Sequence, residues 1–292
     1  MPAKSNIAIN VTLGELHLLL QLGELQDTEG AGTPTYKLQQ ETKLSREAIR
    51  SAFTRVQAAL GEVVLERDTM GRIRATAAGR NAGRSSSLAE WIIGVAKSPA
   101  TDQGKLEKYI LAMQADMERR YASGEFNSEG DNGGRHTVLE NGERAEAVGL
   151  SSGAERYAAV GEGPMTTEYR CEPDVTLGEL LMLHELAVLA YVEQDPDPRS
   201  KLVERHDIPL DSVASSMRRV EQALGVVEDG GADGRPLKPT LRAWNIGEAA
   251  YLADFLVMLA RHENVDQEKL RALIAEFFIE AESKMDSGQL AV

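Results

Sequence analysis

Between Ser45 and Gly61 the apolar residues Ala48, Ile49, Ala52, Phe53, Val56 and Leu60 recur at the three- and four-residue spacing of a single helix face. Ser45 stands where a cap belongs and Gly61 where the helix would stop, so the pattern predicts an amphipathic helix of about three to four turns. The opposite face carries Arg46, Arg50, Ser51, Thr54 and Arg55. After Gly61, apolar Val63 to Leu65, a turn over Asp68 to Gly71 and the return Arg72-Ile73-Arg74 predict a short basic β-hairpin. Upstream, apolar spacing behind a Thr12/Glu15 capping box predicts an opening helix over Leu13 to Leu25, followed by a polar loop with Gly30, Gly32 and Pro34. Downstream, helices are predicted over Leu88 to Lys97 and Asp102 to Tyr121, divided by Pro99.

The same text then recurs. VTLGEL at Val11 to Leu16 returns at Val175 to Leu180, and matches continue at an offset of 164, through Arg55-Val56 and Arg219-Val220 to Asp102-Gln103 and Asp266-Gln267. The chain is therefore read as a unit over 1–124, an acidic Gly- and Ser-rich linker over 125–174 with a candidate short strand at 136–139, and a second unit over 175–292. Helices of the second unit are expected over Leu177 to Tyr191, Pro209 to Leu224, Ile246 to His262 and Asp266 to Met285. Its hairpin is expected to lose a strand, because Asp229, Gly230 and Gly231 replace Leu65, Glu66 and Arg67, and Pro236 and Pro239 remove ladder donors.

Each unit ends on an apolar stripe: Leu106, Ile110, Met113 and Met117 in the first, Leu270, Ile274, Phe277 and Phe278 in the second. Such stripes must be covered. Each either packs on its own unit or serves as a dimerisation element, pairing the units within a chain or joining a homodimer, and the second arrangement is preferred.

One family resemblance rests on these residues. Ser45, Ala48, Ile49, Phe53, Arg55 and Val56, then Leu60, Gly61, Val64, Leu65, Glu66 and Arg67, then Gly71, Ile73, Thr76 and Gly79 fall in register with the signature of LysR-type winged helix-turn-helix proteins, which the chain resembles over that stretch. Thr42 departs from the family's usual Leu, and Arg46-Glu47 from its common Gln-Pro. The resemblance implies a DNA-binding domain and gives the helices after the wing a dimerising role. The family's effector-sensing domain has no counterpart, so no small-molecule effector is apparent.

Charge bears on that expectation. The chain of 292 residues carries a net −14, unfavourable for a polyanion partner taken as a whole. Its distribution differs: Thr33 to Arg84 holds 10 basic against 5 acidic residues, whereas 174–292 holds 12 against 22. A single cysteine, Cys171, excludes an internal disulfide, five scattered histidines offer no metal spacing, and Asp229 to Gly234 lacks a closing Glu for calcium, so no cofactor is expected. No nucleophile and base pair or phosphate loop marks an enzyme. The N-terminal ten residues lack the apolar core of a signal peptide and no run is apolar enough to span a bilayer, so no membrane partner and a cytoplasmic location are expected.

The expected fold is mainly α, with two tandem winged helix-turn-helix domains, each followed by dimerisation-type helices. The expected function is sequence-specific regulation of transcription on double-stranded DNA, with an inverted-repeat site. Ser45, Arg46, Arg50, Ser51 and Arg55 would enter the major groove, and Arg67, Arg72 and Arg74 would hold phosphates. Ser212, Ser215, Arg218, Arg219, Arg235 and Lys238 are the weaker set in the second unit, which could instead dock a protein partner. A protein-interaction adaptor, or a replication or partition factor of a mobile element, are the competing expectations.

Overall fold

Two capping boxes begin the fold twice. Thr12 Oγ1 accepts from Glu15 N at 3.1 Å while Glu15 Oε2 accepts from Thr12 N at 3.1 Å, and Thr176 and Glu179 do the same at 3.2 and 2.9 Å. These boxes satisfy N–H groups that an uncapped helix start would leave without partners. The computed structural model describes residues 9–29, 34–69, 71–128, 175–225, 227–228 and 238–291, and it is mainly helical.

The first half runs α1 (Leu13–Glu29), α2 (Pro34–Thr42), α3 (Arg46–Leu60), a tight turn over Glu62–Val64, β1 (Leu65–Arg67), β2 (Ile73–Ala75), α4 (Ala77–Lys97) and α5 (Gln103–Ala122). The second repeats that order: α6 (Leu177–Ala187, prolonged by a wider turn over Val188–Val192), α7 (Pro198–His206), α8 (Leu210–Leu224), β3 (Val227–Glu228), β4 (Lys238–Pro239), α9 (Leu241–Arg261) and α10 (Gln267–Asp286). β1 pairs antiparallel with β2 and β3 with β4.

Three expectations shift. The first strand starts at Leu65 rather than Val63, because Glu62–Val64 forms the tight turn. The second hairpin is shortened rather than lost, keeping the pairs Val227 with Pro239 and Glu228 with Lys238. The long helices start early, α4 at Ala77, eleven residues before Leu88, and α9 at Leu241, five before Ile246. The expected strand at 136–139, the Asp229 to Gly234 loop, Cys171 and nearly all of the linker lie outside the described residues. At its start, however, Phe126 is 1% exposed and Asn127 bridges to Val265, so the fold of the first half extends past residue 124.

α4 and α9 form the centre. α1 packs on α4 and α6 on α9, while α5 lies on α9 and α10 on α4, so each half's last helix covers the other half's long one. The stripe residues Leu106, Ile110, Met113, Met117, Leu270, Ile274, Phe277 and Phe278 are all at most 7% exposed. Their cover comes from within the chain, and one core cluster runs through both halves.

Hydrogen bonds repeat at the 164-residue offset and mark a pseudo-twofold axis. Asn81 Nδ2 donates to Gln267 O and Oε1 at 2.8 and 3.0 Å, and Asn245 Nδ2 to Gln103 O and Oε1 at 2.9 Å each. Asp102 N donates to Leu290 O and Asp266 N to Phe126 O. Thr12 bridges Thr176, its own equivalent, so the two capping boxes meet on the axis.

The histidines in the apolar stripes are buried. His17 Nδ1 lies 2.6 Å from Ser87 Oγ, and burial pushes its pKa down to about 4. His184 stacks on Tyr251 at 5.0 Å with Nε2 3.2 Å from Glu248 Oε1, while Gln114 Nε2 donates to Glu248 Oε2. Among the described residues, no helix is long and apolar enough to cross a membrane.

Candidate nucleic-acid interface

α3 is built as its sequence dictates. Ser45 Oγ accepts from Ala48 N at 3.1 Å, Gly61 closes the helix at φ 88°, and Ile49, Ala52, Phe53, Val56 and Leu60 are buried. Packing that face inward leaves Arg46, Arg50, Ser51, Thr54 and Arg55 exposed on the other. Ser45 is exposed too, with its hydroxyl occupied by the cap.

The hairpin holds its cations by local bonds. Arg67 Nη1 donates to Gly71 O at 2.9 Å, and Arg72 Nε donates to Asp68 Oδ2 at 2.8 Å. Gly71, at φ 73°, takes the left-handed turn conformation that a side chain would strain. Between this hairpin, α3 and α2 lies an open groove of about 1110 Å³. Arg46, Arg50, Arg67 and Arg72 line it, with Glu62 and Glu66 as its acids. Among the described residues Arg46 and Arg50 form no ion pair, so their charge is available to a ligand.

Ser45, Ser51, Arg55 and Arg74 do not line the groove. Arg55 is ion-paired to Glu15, the carboxylate of the first capping box, and Arg219 is paired in the same way to Glu179. Glu15 and Glu179 are well buried, at 13% and 7% exposure, while the arginines remain half exposed at 50% and 52%. These two arginines therefore anchor α3 and α8 to α1 and α6. Since the capping boxes meet at the axis, the two anchors place α3 and α8 beside it, at the same end of the molecule.

In comparisons with family models, curated proteins and solved structures, the chain matches none.

Residues outside the expected set complete the groove: Thr35, Tyr36 and Gln39 from α2, and Thr54 and Gln57 from α3. Tyr36 is 59% exposed, and an exposed aromatic in a polar helix is the signal that could have singled it out. In the second half, Ser212 and Arg218 are exposed and Ser215 is half-buried. Arg218 Nε donates back to Ala214 O at 3.3 Å, and Ser215 Oγ accepts from Arg219 Nη1 at 3.2 Å. Lys238 is placed by its backbone pairing with Glu228, and Arg235 lies outside the described residues. No cluster of three or more His, Cys, Asp or Glu among the described residues could hold a metal ion.

Proposed function

We propose that the protein binds double-stranded DNA sequence-specifically and regulates transcription, each half being a winged helix-turn-helix unit and the two forming a dimer-like pair inside one chain. The observation that carries this reading is the groove between α3 and the hairpin, lined by four arginines of which Arg46 and Arg50 lack ion pairs among the described residues while Arg72 is paired to Asp68. A helix of this diameter fits a major groove, guanidinium forks match guanine edges and phosphate oxygens, and a β-hairpin beside it reaches the flanking backbone. The resemblance of this stretch to LysR-type DNA-binding domains supports the same reading. Overall acidity is no obstacle, because the cations gather on the first half.

Titration of the full chain with duplex DNA at several salt concentrations tests it. Counterion release predicts that log K falls as log salt rises, by about 0.9 for each phosphate a cation neutralises. Arg50→Ala is expected to weaken binding to a selected site by about 1 to 3 kcal/mol. A salt-independent interaction, or none, would refute the proposal. The rival reading, docking of a protein on the second half, draws on Leu210, 52% exposed between the exposed acids Asp207 and Asp211.

A further inference from the structure

Resting on the DNA-binding reading, we infer that the chain recognises an asymmetric duplex site, with base contacts from α3 alone and α8 supplying backbone contact only. In a homodimer two identical reading helices impose a two-fold site. Here both helices belong to one chain, flank the pseudo-axis at the same end, and were free to diverge while the frame was kept.

That is the pattern the structure displays. Ile49, Phe53, Val56 and Leu60 of α3 have buried equivalents Val213, Met217, Val220 and Leu224 in α8, and the Arg55–Glu15 anchor has its copy in Arg219–Glu179. On the solvent face Ser51 and Arg55 are kept as Ser215 and Arg219, but the residues that line the groove of the first half are not. At the position of Arg46 stands Leu210, exposed, and at that of Arg50 stands Ala214. Pro209 replaces the capping Ser45 and provides no side-chain cap. Asp207 adds an exposed carboxylate at the turn into α8. A frame retained to the level of single ion pairs still positions the helix, but the two arginines that α3 turns into its groove have no counterpart in α8, which loses the guanidinium forks held there for base edges. With Arg219 held by Glu179, Arg218 is the cation left exposed on this face, its Nε turned back to the Ala214 carbonyl, and the role inferred for it is a phosphate contact that fixes position without reading sequence.

The test is selection of bound duplexes from a random pool by the full chain, followed by sedimentation of the complex and affinities of two variants. The expected motif is a single half-site without an inverted repeat, occupied by one chain. Arg50→Ala should lower affinity for the selected site by about ten-fold or more and flatten the preference over random sequence, while Arg218→Ala should weaken selected and random duplexes by the same factor. Both side chains are exposed, and circular dichroism checks that each variant is folded. An inverted-repeat motif, or a loss of base preference in Arg218→Ala equal to that in Arg50→Ala, would overturn the inference while leaving DNA binding intact. Enrichment of no sequence at all would defeat the DNA-binding reading itself, and this inference with it.

Discussion

Gly83 and Gly247, equivalent residues of the two long helices, lie where each long helix packs closely on the opening helix of its own half. A Cβ on Gly83 would sit 2.7 Å from Leu20 N and 2.9 Å from Leu16 O, and one on Gly247 would sit 2.8 Å from His184 Cα. Gly79 is tighter still against the Val64 carbonyl. The contacting atoms are mostly backbone, so relief requires moving a helix rather than a side chain. Gly83→Ala should therefore destabilise the protein by about 1 to 3 kcal/mol despite the better helix propensity of alanine, measured as a fall in the urea midpoint. These small residues also explain the misplaced start of α4. In the sequence, the run from Ala77 to Ser87 holds no large apolar residue to mark a helix face; in three dimensions it is the part of the helix that other backbones press upon. Arg55 teaches the same lesson at the surface, because its position on the exposed face of α3 is legible and its partner Glu15, forty residues away, is not.

At the scale of elements, α4 and α9 carry a matched pair of perturbed acids. Glu90 and Asp254 occupy equivalent positions, and burial pushes their pKa values up to about 7 and about 6. For each, the folded state favours the protonated form. Stability from that preference is full below the ordinary carboxylate range and is lost as pH rises through the folded value. Glu90→Gln should accordingly raise the melting temperature at pH 8, and the gain should shrink toward pH 4.5, where the wild-type side chain is already neutral. Thermal unfolding at the two pH values checks the sign. Periodicity placed some helices closely and others not: α3 lies within one residue of its expected ends and α5 and α10 end within one residue of theirs, whereas α4 and α9 begin eleven and five residues before their expected starts. The hairpins were less legible, since strands of two or three residues hold too few side chains to show alternation.

For the whole molecule, the central fact is that the dimerisation-type stripes are consumed within the chain. α5 covers α9, α10 covers α4, and Tyr109 Oη donates to Phe277 O between the two covering helices. A fragment ending at residue 128 would bare the apolar faces of α4 and α5 that α9 and α10 shield. It is expected not to persist as a folded monomer, and sedimentation together with circular dichroism would reveal self-association or unfolding. The full chain should unfold at a midpoint independent of its concentration, because its two halves are covalently joined. What the sequence alone determined is local and periodic: the helices, their caps, the doubled unit and the placing of cations on the face of α3. Only the tertiary structure decided which half covers which stripe, that α3 and α8 share one end of the pseudo-axis, and that Arg55 is an anchor while Arg46 and Arg50 stand in the groove. Helix periodicity reports which face is apolar, but the identity of its cover depends on contacts between residues more than a hundred positions apart, on which no local pattern bears.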